Sequence, residues 1–289
     1  RGAELANEVE AGEAEPYQRR ALLATDGSYD VYKRVRADTT SLVQAARLKR
    51  LGFNVSPRDV VDLTKGGSKP TLSVTLAGEE GKRVIELIEK DLVEGVEKLR
   101  GDPGLRSRLK AGALKYVDEK LKISVHGVDK KTEEGRRKIE EVKQKIADRI
   151  EKFLDELRLG EGGTVCLADC RFGEPALTVE HEPYARFVAP FIHYIAEDAP
   201  REEVMKFVAE LILYDGSVSL DYTYLAVGNF DVEDPSKELP LDIYDKLALF
   251  LVFAAKYGVG VRGVYIRKAG TVIIELDKKY AARVFAEAW

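Results

Sequence analysis

The chain has 289 residues, 45% of them hydrophobic and 33% charged, with a formal net charge of −4. That length and apolar content suffice for a substantial core, as one body or two or three modules. No apolar run reaches the roughly 18 residues that a membrane-spanning helix needs, and the acidic balance argues against a protein that binds phosphates through bulk charge alone. The acid is unevenly spread: residues 161–289 carry −8 and residues 1–160 carry +4, so any contact with a duplex is expected to lean on the first half. One charged residue in three, with a single Met and two Cys, resembles a thermophile's composition. The acidic stretch Glu4 to Glu15 lacks the apolar centre of a signal peptide, so an intracellular, cytoplasmic protein is expected.

In chain order, the first readable feature is Arg19-Arg20-Ala21-Leu22-Leu23-Ala24-Thr25-Asp26-Gly27, an apolar helical run that ends on an acid and a glycine. A strand from Tyr29 to Asp38 is expected next, then a helix over Thr40 to Leu51 ended by Gly52. Asp59 to Thr64 and Thr71 to Leu76 read as a hairpin around Gly66-Gly67-Ser68-Lys69-Pro70. A long helix begins near Glu79, with Val84, Ile85, Ile88, Leu92, Val96 and Leu99 on one face.

Residues 101–160 read as a charged helical insert. Within Lys130 to Leu159, the residues Ile139, Val142, Ile146, Ile150, Phe153, Leu154 and Leu157 recur at three- and four-residue steps and define one buried seam. A helical hairpin packed on the core is the expectation, with a partner-binding coiled coil as the alternative. Beyond the Gly-rich break at 160–163 come Cys166 and Cys170, followed by His181 and His193. Their spacing fits no common zinc module, so buried cysteines are expected, a disulfide between them being the alternative. Asp169, Glu174, Glu180 and Glu182 read as a solvated acidic surface.

A second, clearer copy of the apolar run follows at Val208-Ala209-Glu210-Leu211-Ile212-Leu213-Tyr214-Asp215-Gly216. As in the first copy, a Ser and a period-2 segment come after the Asp-Gly. One or two strands are expected over Val218 to Val227, and a strong helix over Leu241 to Tyr257. A break at Gly258 and Gly260 precedes a hairpin of Gly263 to Arg267 with Thr271 to Leu276, and a last helix runs from Lys278 to Trp289. The first half follows the same order but reads one strand short.

In both copies glycine ends the helix at least conformational cost, leaving Asp in the last turn. A carboxylate there opposes the partial negative charge of the helix C-terminus. If the two helices packed side by side, Asp26 and Asp215 would converge, and two like charges call for a hard divalent cation such as Mg²⁺.

These residues resemble the LAGLIDADG homing endonucleases. The second copy matches that family's pattern at Ala209, Leu211, Ile212, Asp215 and Gly216, with Val208 in place of Leu; the first matches at Leu22, Asp26 and Gly27, with Leu23 in place of Ile. The resemblance implies an α+β fold of two pseudo-symmetric αββαββα-like halves, over 1–100 and 161–289, packed through paired motif helices and separated by the helical insert at 101–160. It implies Asp26 and Asp215 as catalytic, metal-binding acids holding Mg²⁺ or Mn²⁺. The chain departs from the pattern at the third and seventh motif positions, which are small in the family and here are Ala21 and Thr25 in one copy, Glu210 and Tyr214 in the other. Pairing of Arg20 with Glu210 across the helix interface is one expectation drawn from that departure.

In that family the strands form a curved sheet lying in the major groove. The residues placed there by the resemblance are Lys33, Arg34 and Arg36 after the first motif, Arg58, Lys65 and Lys69 on the first hairpin, and Tyr265, Arg267 and Lys268 on the second. The function expected is divalent-metal-dependent, site-specific cleavage of double-stranded DNA by a monomer that is an internal pseudo-dimer. The alternatives are an inactive nucleic-acid binder on the same scaffold, such as a maturase acting on RNA or a regulator, and a protein-assembly module acting through the insert. The sequence holds no Walker motif and no dinucleotide fingerprint, and its three His at 126, 181 and 193 lie in no local hydrolase signature.

Overall fold

The computed structural model describes residues 15–24, 28–29, 35–39, 49, 54–58, 71–76, 78–159, 165–166, 183–218, 222–229, 239, 241–267 and 271–288. These residues form an α+β fold. A first helix, α1 (Pro16–Ala24), leads to an antiparallel sheet of β1 (Ser28–Tyr29), β2 (Val35–Thr39), β3 (Asn54–Arg58) and β4 (Thr71–Leu76), in the order β1-β2-β4-β3. The strand expected over Tyr29 to Asp38 is two strands folded on each other, with Tyr29 opposite Val35, so this sheet has four strands rather than three. The partner of β4 is Asn54–Arg58, earlier than the Asp59 to Thr64 stretch, which lies outside the described residues. Of the helix expected over Thr40 to Leu51, only Lys49 is within them.

The helix α2 (Gly78–Gly101) follows, burying Leu92, Val96 and Leu99 along one face. Asp102 then caps α3 (Pro103–Lys120): its side chain accepts a hydrogen bond from the Leu105 N–H, and Pro103 occupies a first-turn position where a missing N–H costs nothing. The segment Lys122–Val125 forms β5, and Thr132 caps α4 (Glu133–Glu156) by accepting from the Gly135 N–H at 3.0 Å. The seam of α4 is used internally. Ile146, Ile150, Phe153 and Leu154 are buried where α4 packs on α3 and on a later helix, α7. A short pair of strands, β6 (Arg158–Leu159) and β7 (Val165–Cys166), lies beyond it. Cys170 and His181 fall outside the described residues, as does the acidic cluster of Asp169, Glu174, Glu180 and Glu182.

Two consecutive helices, α5 (Pro183–Ala196) and α6 (Arg201–Asp215), lead into the second sheet. The helix α6 passes without a loop into β8 (Gly216–Val218), which pairs with β9 (Thr223–Asn229). After α7 (Leu241–Tyr257), Gly258 takes a left-handed φ of +66° and turns the chain into β10 (Val261–Ile266), β11 (Thr271–Leu276) and α8 (Lys278–Ala288). Read from β8, this sheet runs β8-β9-β11-β10, the same order as the first, with β5 added in parallel outside β10.

The core centres on α7. Its residues Leu247 to Ala254 are apolar around the whole circumference and all buried, as expected of a helix enclosed on every side. The helices α3 and α4 flank it, along with α5 and β9. Phe191 of α5 sits edge-on to Phe207 of α6 and to Phe250 and Phe253 of α7, with centroids 5.4 to 5.8 Å apart, the arrangement aromatic quadrupoles favour. The two motif helices α1 and α6 pack on each other. Among the described residues no helix is long and apolar enough to cross a membrane.

Candidate nucleic-acid interface

In the first sheet, the register sets Arg36 and Asn54 opposite Thr75, and Arg58 opposite Thr71. Lys33, Arg34, Lys65 and Lys69 lie outside the described residues, as does Asp26. Asp215 is the last residue of α6, immediately before the strand that begins at Gly216.

In the second sheet Leu225, Val227, Val264, Ile266, Val272, Ile274 and Leu276 are buried against the helices. On the opposite face Tyr222 is exposed, while Ile273 and Glu275 of the central strand β11 are buried. This face carries a concavity of about 450 Å³ whose lining includes Tyr222, Tyr224, Arg262, Tyr265, Arg267 and Glu275, with Ser124 from β5 and His126 just after it. The tyrosines are brought together by period-2 alternation on β9, their rings stacked at 5.7 Å with planes 21° apart. The Arg267 guanidinium lies over the Tyr224 ring at 4.5 Å, so that Tyr224 is in contact with both Tyr222 and Arg267. A guanidinium held by its face keeps its N–H edge available for a bidentate contact. Among the described residues no carboxylate pairs with Arg267.

One acid lies within this face. Glu275 is 8% exposed and is bridged by Arg262 Nη1 at 2.5 Å. This hydrogen bond raises the Arg262 pKa. Burial, then hydrogen bonding to Glu275, pushes the Tyr265 phenol above its usual value, so the phenol stays protonated. The lining therefore has two arginines against one carboxylate, which is already satisfied. Locally the surface suits an anion, although the half of the chain that bears it is acidic.

Of the residues expected on this hairpin, Tyr265 and Arg267 lie on the face and Lys268 is outside the described residues. Tyr222, Tyr224, Arg262 and His126 join them. The alternating Ser217 to Tyr224 segment carried a signal for the tyrosines; His126 had none, because only the non-local pairing of β5 with β10 brings it there.

A second polar cluster lies under α1. Arg20 makes a two-pronged ion pair with Asp91 of α2, through Nε at 2.6 Å and Nη2 at 3.0 Å. On α6 it approaches Glu203 at 3.6 Å, so the acid it meets is two turns before Glu210 rather than Glu210 itself. His193 Nδ1 of α5 lies 3.3 Å from Asp91, and the Tyr194 hydroxyl donates to Glu203 at 3.0 Å. With Arg20 and Asp91 buried and Glu203 and His193 partly exposed, this cluster fastens the first motif helix to three others. Compared with protein-family models, curated proteins and solved structures, the chain matches none.

Proposed function

We propose that the chain is a LAGLIDADG-type protein that docks double-stranded DNA against its two sheets and cleaves it with the help of divalent metal ions. One observation carries this reading: two sheets with the same strand order, each preceded by a helix ending near an Asp-Gly, and those two helices packed together. We take the halves as pseudo-symmetric αββαββα units. The stacked Arg267 supports contact with phosphate or a guanine edge, and Arg36 and Arg58, on strands of the first sheet, are assigned to the duplex with it.

The acids assigned to the metal are Asp26 and Asp215. Carboxylate oxygens suit Mg²⁺ or Mn²⁺. A bound ion of this kind would supply an activated water and charge stabilisation at the phosphate. The protein's own part is positioning: Asp215 stands at a helix-to-strand junction, held by the packing of α6 on one side and by the pairing of Gly216 with Leu225 on the other. A second reading, a binder without cleavage acting on DNA or RNA, is favoured by Glu210. This acid, 2% exposed, occupies a motif position that is small in the family.

A pool of random-sequence duplexes with Mg²⁺ or Mn²⁺ tests both readings. Binding with cleavage is expected, Asp215→Asn abolishing cleavage while binding persists and Arg267→Ala weakening binding roughly tenfold. Binding without cleavage in either metal selects the inactive reading. No duplex binding at low salt refutes the proposal, and cleavage by the Asp215→Asn protein refutes the assignment of that acid.

A further inference from the structure

The insert does more than pack on the core. Its strand β5 joins the second sheet in parallel, with Lys122 opposite Gly263, Ile123 opposite Val264, Ser124 opposite Tyr265 and Val125 opposite Ile266. The ladder continues as the His126 N–H donates to the Ile266 carbonyl at 2.8 Å. Strand alternation turns Val125 into the core and leaves Lys122, Ser124 and His126 exposed on the side that carries Tyr265 and Arg267. Gly263 lets β5 come this close: a Cβ there would meet the Lys122 carbonyl oxygen at 2.7 Å. From behind, the Tyr116 hydroxyl of α3 holds the start of β10, accepting from the Val261 N–H at 2.7 Å and donating to the Val259 carbonyl at 2.9 Å.

We infer that the insert widens the nucleic-acid face, with Lys122 and Ser124 of β5 and His126 just after it contacting the phosphate backbone of a duplex beside the segment met by Arg267. The inference rests on the duplex-binding reading. What carries it beyond that reading is continuity and charge: β5 extends the same face by one strand spacing, about 4.8 Å, and adds a lysine that no carboxylate pairs with among the described residues. A backbone contact of this kind positions the duplex without reading sequence.

The test uses the full chain and a fluorescent 40-base-pair random duplex, with affinity measured across salt concentrations. Lys122→Ala/His126→Ala should weaken binding several-fold at low salt and make the slope of log K against log salt shallower by about 1, the signature of a lost phosphate contact. Lys115→Ala, which removes an exposed lysine on the outside of α3, should leave both unchanged. If the double variant keeps the wild-type affinity and slope while Arg267→Ala loses affinity, the inference fails and the duplex reading stands. If Lys115→Ala has the same effect as the double variant, bulk charge is responsible and the inference fails. If the wild type binds no duplex, both fall. Because Lys122 and His126 are exposed, these variants should unfold at the wild-type temperature, which separates a binding defect from a folding one.

Discussion

His193 is where solution conditions reach the buried cluster. Burial holds its imidazole pKa below the ordinary value near 6.5, outweighing the favourable charge of Asp91, while Arg20 adds repulsion and Glu203 and Glu197 attraction. A depressed folded-state pKa means that the unfolded chain takes up the proton first. The contribution of this residue to stability is therefore complete above about 6.5 and is lost as pH falls through the lower, folded value. Wild-type protein should lose more of its urea midpoint between pH 7 and 5 than His193→Gln. Equal losses in the two proteins would show that the imidazole is not coupled to folding. The same cluster gives Arg20 a structural role: Asp91, 3% exposed, would otherwise be a buried carboxylate without its strongest partner.

At the scale of elements, α4 is clamped to the central helix by Arg149, whose Nε lies 2.5 Å from Asp245 of α7 and whose Nη2 lies 2.8 Å from Glu156. Arg149→Ala should cost roughly 3 kcal/mol, because it takes away a largely buried guanidinium that meets two carboxylates at the α4–α7 contact. Urea unfolding measures this, and a loss below about 1 kcal/mol would mean that water readily replaces the guanidinium. Elements with long, regular apolar spacing were legible before folding: α2, α4, α7 and the β10–β11 hairpin all lie close to where periodicity puts them. The elements that escaped have physical reasons. Pro190 sits inside α5 and reads as punctuation in Phe187-Val188-Ala189-Pro190-Phe191, although burial on several sides holds the helix. Lys122–Val125 is too short to show a period, and its partner lies about 140 residues further on in the chain. On the interface, Tyr265 and Arg267 could be read from the hairpin itself. Arg262 could not, because the register shift between Val261 and Gly263 alters the alternation there.

For the whole molecule, the insert is part of the body rather than an appendage. Leu109, Ala113 and Val117 of α3 and Ile146, Ile150 and Phe153 of α4 are all buried, and they close over α7. Deleting residues 101–160 should therefore expose one flank of the central helix and turn cooperative unfolding into aggregation or a molten state that binds hydrophobic dyes. A soluble deletion protein with a single sharp thermal transition would show that the insert is dispensable to the fold. The result bears on function as well. A partner-binding coiled coil needs a free seam, and the seam of α4 is already occupied.

The parallel strand also changes how the molecule meets copies of itself. Without β5, the outer side of β10 would be a bare row of amide and carbonyl groups, a template on which a neighbouring chain could extend the ladder. With it, the rim ends in a four-residue segment that starts at a lysine and runs into a turn at Gly127, whose φ of +77° diverts the backbone. So short and charged a border is a poor seed for polymerisation. The same four residues that enlarge this face also shield the protein from growing into fibres at its own margin.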